Sequence, residues 1–237
     1  MLDKNELEDL LVKLRLGTIS VESAIEEIET SFYANDKGGG VSPWRSLGYG
    51  FDEVIFCKDK PVSYIERTAK RFQEKHIDFI CVGLDESGIS ELSGRISGCD
   101  FILDAGMIIC AKNSAENGKA DIRAAVFSTL PREERIIREL EESLKIAGID
   151  YDFFYEHSYG AISPQILKNR LCKAGAAVIA DESGVLLPMV SAVSFIPVIV
   201  IPVGKENDVA VPYGAAAVSR ESGFAASAAI LRCVNKK

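Results

Sequence analysis

Residues 176–204 read AAVIADESGVLLPMVSAVSFIPVIVIPVG. AAVIADE (176–182) is an unbroken apolar run closed by acidic and small turn residues. Leu187–Val193 predicts a short helix, and PVIVIPV (197–203) is a second run rich in β-branched residues. A strand with no polar alternation is buried on both faces, the situation of a parallel sheet covered by helices on either side. Pro188, Pro197 and Pro202 cut the apolar stretch 186–204 into pieces too short to span a bilayer, so a buried helix running into a buried strand is expected there.

The alternation extends outward. RAAVFST (123–129) predicts a strand, Pro131–Ala147 a helix with Gly148 just beyond it, YDFFYEH (151–157) a strand, Ile162–Ala174 a helix and Gly223–Leu231 a closing helix. Four buried strands alternating with helices give an α/β fold, a three-layer, doubly wound parallel sheet over 121–237 that binds ligands at strand carboxyl ends. Before it, DEVIFC (52–57), Val62–Lys75 and DFICVGL (78–84) predict a strand, helix, strand crossover. Phe101–Leu103 and Met107–Ala111 predict two short strands, and SAENGKAD (114–121) a polar break, making 41–120 a smaller α/β region. Leu7, Leu10, Leu11 and Leu14 predict a helix over 3–16. Ser20 caps a second helix, and YANDKGGGVSP (33–43) reads as a linker, so 1–40 is a helical appendage.

Of the 237 residues, 47% are hydrophobic and 26% charged, which excludes a disordered chain and a small disulfide scaffold. The formal charge of -8 offers no general positive field to nucleic-acid polymers or an anionic membrane. The excess of acid lies in residues 1–120, with 21 acidic and 14 basic side chains, whereas 121–237 is nearly neutral. Six cysteines without a C-x-x-C pair and an acidic start without a signal-peptide pattern predict a cytoplasmic protein with reduced thiols. With only His76 and His157 beside them, no dedicated metal cage is expected.

Three turns at the expected carboxyl edge are candidate ligand contacts. Ser128-Thr129 precedes a helix, where hydroxyls and backbone N–H groups hold a phosphate or simply cap the helix. Asp181-Glu182-Ser183-Gly184 precedes another, with the same two readings. At Tyr213-Gly214 the glycine permits close backbone approach. His157, after a strand, suits acid or base work or a plain surface role. No G-x-G-x-x-G, P-loop or G-x-S-x-G motif is present.

Leu187-Pro188, Pro197-Val198-Ile199 and Pro202-Val203 together resemble the core of the phosphoribosylaminoimidazole carboxylase (PurE) superfamily. With WRSLGYGFDEVIFCKDKP (44–61), RAAVFST and RESGFAASAAIL (220–231), nearly the whole chain resembles the LarB family of nickel-pincer cofactor biosynthesis; Arg45, Gly50, Glu53, Val54 and Lys60 fall on that family's N-terminal motif. The resemblance implies a PurE-like (flavodoxin-like) sheet and a homo-oligomer, with an octamer as one form. It implies carboxylation of the pyridinium ring of nicotinic acid adenine dinucleotide and hydrolysis of its phosphoanhydride. Bicarbonate or carbon dioxide would be co-substrate, with a divalent cation such as Mg2+ and no tightly bound cofactor. It places phosphate on Ser128, Thr129, Ser183 and Gly184, with Tyr213 and Gly214 beside it, and a carboxylate on Arg45 or Lys60. The family's phosphate loop is shortened here to Ser128-Thr129-Leu130. No cysteine falls on the family's nucleophile, Cys233 lying beyond Gly223-Phe224, so no catalytic residue is assigned. The alternatives are a PurE-like aminoimidazole ribonucleotide carboxylase or mutase, for which Leu186 stands in place of a histidine, and a non-catalytic nucleotide-binding or assembly relative.

Overall fold

Side chains alternate across a strand, and along Arg123–Ser128 both sets are apolar: Ala124 and Val126 enter one hydrophobic cluster, Ala125 and Phe127 another. Such a strand is stable only between two layers of helix, and the computed structural model places it there. The model describes residues 4–25, 53–110, 122–156, 162–204, 211–212 and 214–234. The chain divides into two compact units, Met1–Gly48 and Tyr49–Lys237.

In the first unit α1 (Lys4–Arg15) gives way to a turn with Gly17 at φ +68, and the Ser20 hydroxyl accepts from the Ser23 N–H at 3.0 Å, capping the helical residues 21–25 as expected. The linker at 33–43, the motif residues 44–50, the polar break at 114–121 and His157 lie outside the described residues.

The second unit holds two sheets. The first contains β1 (Glu53–Phe56), β2 (Phe79–Val82), β3 (Asp100–Ile102) and β4 (Met107–Cys110) in the order β1-β2-β4-β3. β1 and β2 are parallel, joined by α2 (Val62–Glu74), while β4 runs antiparallel to both β2 and β3. The second contains β5 (Arg123–Ser128), β6 (Asp150–Tyr155), β7 (Ala176–Asp181), β8 (Val198–Pro202) and β9 (Ala215–Ala217), all parallel, in the order β6-β5-β7-β8-β9. Numbered within that sheet the order is 2-1-3-4-5, compatible with a flavodoxin-like fold.

Helices α4 (Arg135–Ile146) and α7 (Gly223–Val234) cover one face of the second sheet through Ile137, Leu140, Leu144, Ala226 and Ile230. On the other face, α5 (Pro164–Leu171) and α6 (Leu186–Val193) supply Leu167, Leu171, Leu187 and Val190. Ile80, Val82 and Met107 of the first sheet join the same cluster as α4 and α7, so that helix pair is sandwiched between two sheets. On the first sheet's far face α2 packs Phe72 against Phe79, ring centroids 5.6 Å apart. No helix among the described residues is long and apolar enough to cross a membrane.

Two helices are shorter than their sequence pattern suggests. α4 starts at Arg135, not Pro131, because Glu134 is extended (φ -60, ψ 135) and residues 131–134 close a turn through a Glu134 N–H to Pro131 carbonyl bond. α5 starts at Pro164 after Ser163, whose hydroxyl accepts from the Ile166 N–H at 3.3 Å, and it ends at Leu171. Two elements were not expected: α3 (Glu86–Ser93), capped by Asp85, and the three-alanine edge strand β9.

Gly223 marks the closest approach of α7 to α4. A Cβ placed there would strike the backbone of Leu140 and Ile136, which cannot move aside as a side-chain tip would. Gly223→Ala is therefore expected to lower unfolding stability by about 1–3 kcal/mol. Gly94→Ala, at an ordinary φ of -82 with its nearest neighbour 3.9 Å away, is expected to leave it nearly unchanged; urea denaturation of the two variants checks both.

Candidate functional site

In an open parallel sheet the order reverses at one place and leaves a crevice at the carboxyl ends; here that place lies between β5 and β7. The candidates Ser128, Thr129 and Ser183 do meet there, organised by the buried carboxylate of Asp181 at the end of β7. Its Oδ1 accepts from the Ser183 N–H at 2.9 Å, the Ser183 hydroxyl at 2.6 Å and the Thr129 hydroxyl at 3.3 Å. Its Oδ2 accepts from the N–H of Leu186, the first residue of α6, at 2.7 Å. The Ser128 hydroxyl is buried and turned onto its own loop, accepting from the Leu130 N–H and donating to the Leu130 carbonyl, both at 2.9 Å. The Thr129 N–H is held by the Ala180 carbonyl.

The hydroxyls of Ser128, Thr129 and Ser183 and the N–H groups of Thr129 and Ser183 are thus engaged within the chain, and a carboxylate occupies the positive end of α6. An anion there would meet Asp181 before it met a free donor. Gly184 (φ +70) and Gly214 (φ +88) adopt the left-handed conformation that favours glycine, each with open space where a side chain would be. Arg45 and Tyr213 lie outside the described residues.

Lys60 belongs to a different place, a cleft of 570 Å³ beyond the carboxyl ends of β1 and β2. After β1 the chain turns through Lys58, Asp59 (φ 62) and Lys60 before Pro61 opens α2. After β2 comes Gly83, whose left-handed φ of +77 favours glycine and which lies in van der Waals contact with Lys58 of that turn. The third wall is the start of α4, with Arg135 and Ile136, and Glu221 before α7 completes it.

Three helix N-termini converge on this cleft. That of α3 is capped: Asp85 accepts from the Gly88 N–H at 2.7 Å and the Ser87 hydroxyl at 3.1 Å, and these bonds hold its carboxyl below the usual range. Those of α2 and α4 have neither a side-chain cap nor an acidic residue in the first turn. The first-turn N–H groups of both helices therefore have no side-chain acceptor, although at α4 the N-cap residue is itself an acid, Glu134, which opposes the dipole there. Lys58 pairs with Glu221 at 3.6 Å, whereas Lys60 lies over the Tyr64 ring, 5.4 Å from its centroid. Among the described residues neither the Lys60 ammonium nor the Arg135 guanidinium makes an ion pair within 4.0 Å.

Glu139, one turn into α4, is 4% exposed and lines the cleft. Its Oε1 accepts from the Phe224 N–H at 2.9 Å and the Ser222 hydroxyl at 3.3 Å, so α4 caps α7. Burial pushes its carboxyl up, against the lowering influence of these bonds and of Arg135. Among the described residues no group of three or more His, Cys, Asp or Glu side chains converges to hold a metal ion.

Sequence reading missed Lys58, Arg135, Glu139 and Glu221 as cleft residues. Arg135 carries a signal, standing six residues beyond Thr129, but only once the helix is known to start there. Glu139 carries none, because α4 buries Glu139, Glu141 and Ser143 along with its apolar stripe. No protein-family model matches this chain, and a search of curated proteins finds no match either.

Two outcomes follow from these carboxylates. Asp181→Ala leaves the amides of Ser183 and Leu186 and the Thr129 hydroxyl without their acceptor, and is expected to cost about 1–3 kcal/mol in chemical denaturation. For Glu139 the folded carboxyl binds its proton more tightly than the ordinary value of 4.5, so the folded state takes up protons in a window opening at that value. Stability relative to Glu139→Gln is therefore expected to fall as pH rises from below 4.5 through that window and to stay lower above it, measured by urea titrations from pH 4 to 8.

Proposed function

We propose that this chain is a nucleotide-binding α/β protein of the LarB and PurE type. It takes a pyridine nucleotide of the nicotinic acid adenine dinucleotide class, with its phosphates in the cleft between α2 and α4. The observation that carries this is the meeting of two uncapped helix N-termini with Lys60 and Arg135 in one cavity. Such an arrangement stabilises a phosphate or carboxylate through N–H dipoles and placed cations, without a net positive protein. Lys60 is also one of the two residues, with Arg45, that the family resemblance assigns to a carboxylate.

In this reading the chain is a carboxylase and hydrolase that uses bicarbonate or carbon dioxide as co-substrate, in a homo-oligomer of the PurE kind. Its residues bind and orient the anionic ends of the substrate. Glu139, kept protonated to higher pH by burial, is the titratable group best placed to exchange a proton with a bound ligand. A second reading, a binding or assembly subunit without turnover, is favoured by the absence of a cysteine at the family's nucleophile position and by Asp181 occupying the positive end of α6. The PurE-like aminoimidazole ribonucleotide reading has less support, since Leu186 is a buried helix start with no acid or base function.

Calorimetric titration with nicotinic acid adenine dinucleotide, followed by assay with bicarbonate and magnesium, separates the readings. Binding with turnover supports the enzyme, and binding alone supports the subunit. Lys60→Ala and Arg135→Ala are each expected to weaken binding about tenfold to a hundredfold, the loss of one charge-assisted hydrogen bond of about 1.5–3 kcal/mol. Unchanged affinity in both variants would place the ligand elsewhere.

A further inference from the structure

The hairpin of β3 and β4 carries a pair of thiols that the proposed ligand site does not use. Its register pairs Asp100 with Ile109, Phe101 with Ile108 and Ile102 with Met107, so the next pair outward is Cys99 opposite Cys110. Directly opposed residues on antiparallel strands hold their Cα atoms about 4.5–5.5 Å apart, inside the range that a disulfide spans. The side-chain amide of Gln73 in α2 donates to both sulfurs, at 3.5 Å to Cys99 and 3.4 Å to Cys110, which places the two within reach of one nitrogen. The Cys99 thiol donates to the Ser97 carbonyl at 3.8 Å and the Cys110 thiol to the Gly98 carbonyl at 3.6 Å. Both cysteines are half-buried and reachable from solvent, unlike Cys57 and Cys81, which are buried.

From this juxtaposition we infer that Cys99 and Cys110 form a reversible dithiol–disulfide site, oxidised by a small peroxide and reduced by a low-molecular-weight thiol. Cys110 reacts first: its thiolate attacks one peroxide oxygen, the O–O bond breaks, and hydroxide leaves as Cys110 becomes a sulfenic acid. Cys99 is the partner held back as a thiol, because burial, and then the neighbouring Cys110 thiol, push its proton affinity up. Its proton goes to the hydroxide, giving the first water, its sulfur attacks Cys110 Sγ, the S–S bond forms and the S–O bond breaks. The second hydroxide so released takes up from solvent the proton that Cys110 gave up in forming its thiolate, giving the second water. Two thiols and hydrogen peroxide thus become one disulfide and two waters. A free thiol reverses the change by exchange and leaves as its own disulfide. Disulfides of this transient kind are the ones compatible with a reducing compartment.

The closed ring contains the hairpin turn. There Asp104 pairs with Arg138 of α4 at 2.7 Å, and Gly106 packs against the Arg135 guanidinium so tightly that a side chain would collide with it. The Leu84 N–H also donates to the Gly106 carbonyl. The disulfide therefore fixes the turn that backs a cation of the cleft.

Reduced full-length protein treated with an equimolar amount of hydrogen peroxide tests this. No Lys or Arg lies between Arg95 and Lys112, so trypsin releases both cysteines in one peptide, 96–112. The expected result is that this peptide loses two hydrogens, resists alkylation, and regains both on reduction by glutathione. In Cys99→Ser a sulfenic acid at Cys110 is expected to be trapped by dimedone, and in Cys110→Ser none at Cys99. Two alkylatable thiols in the wild-type peptide after treatment, a link joining other cysteines, or sulfinic acid at Cys110 without a link would overturn the proposal. If the serine variants do not fold, the wild-type peptide still decides.

Discussion

At Gly223 the backbone of α7 comes close enough to α4 that a single methyl group would strike Leu140 and Ile136, and the placing of the cleft follows from that contact. Helix α4 is fixed from several sides. Its apolar residues pack into the cluster shared by both sheets, and Glu139 caps α7. Arg138 pairs with Asp104 on the first sheet's hairpin, and the same arginine and Arg132 flank the buried Glu141. Truncating one partner of that last group would leave a buried charge exposed to an apolar surrounding, which is why such networks rigidify. A helix held in this way presents its N-terminus, with Arg135, at one place only.

The two carboxyl-terminal edges of the fold treat charge in opposite ways. At the switch point of the parallel sheet, Asp181 fills the anion-binding end of α6 with the chain's own carboxylate and joins the loops after β5 and β7 through Thr129 and Ser183. In the neighbouring cleft three of the four lining carboxylates are committed elsewhere, Asp85 to α3, Glu139 to α7 and Glu221 to Lys58, and the fourth is Asp59 in the turn before α2. The first-turn N–H groups of α2 and α4 are left without a side-chain cap, with Glu134 at the N-cap of α4 as the nearest acid to that helix end. A formal charge of -8 does not by itself bar an anion from such a cleft, because the local field near a helix terminus outweighs a net charge screened beyond about 8–10 Å.

Much of the fold was legible because burial on both faces leaves unmistakable apolar runs. AAVIAD and VIVIP are strands where expected, and the Ser20 cap is where its hydroxyl predicts. The misses have physical causes. Alanine has little strand preference, so Ala215–Ala217 pairs with β8 by tertiary context alone. Pro131 looks like a first helical residue but opens a turn, since the ψ of Glu134 decides where α4 begins. The candidate site was legible only in part. Sequence placed Ser128, Thr129 and Ser183 together, but a motif of hydroxyls and N–H groups does not reveal that an adjacent carboxylate has already bound them. The cleft needed the crossing of three helix ends far apart in the chain, which no local spacing encodes.

The claim that the anion site is the cleft and not the switch point is tested most directly by an amide NMR titration of the full chain with inorganic pyrophosphate. The account predicts saturable shifts at residues 62–65 and 135–138, with residues 128–130 and 183–186 unmoved. Saturable shifts confined to 128–130 and 183–186, requiring the phosphate to displace Asp181 from α6, would contradict it.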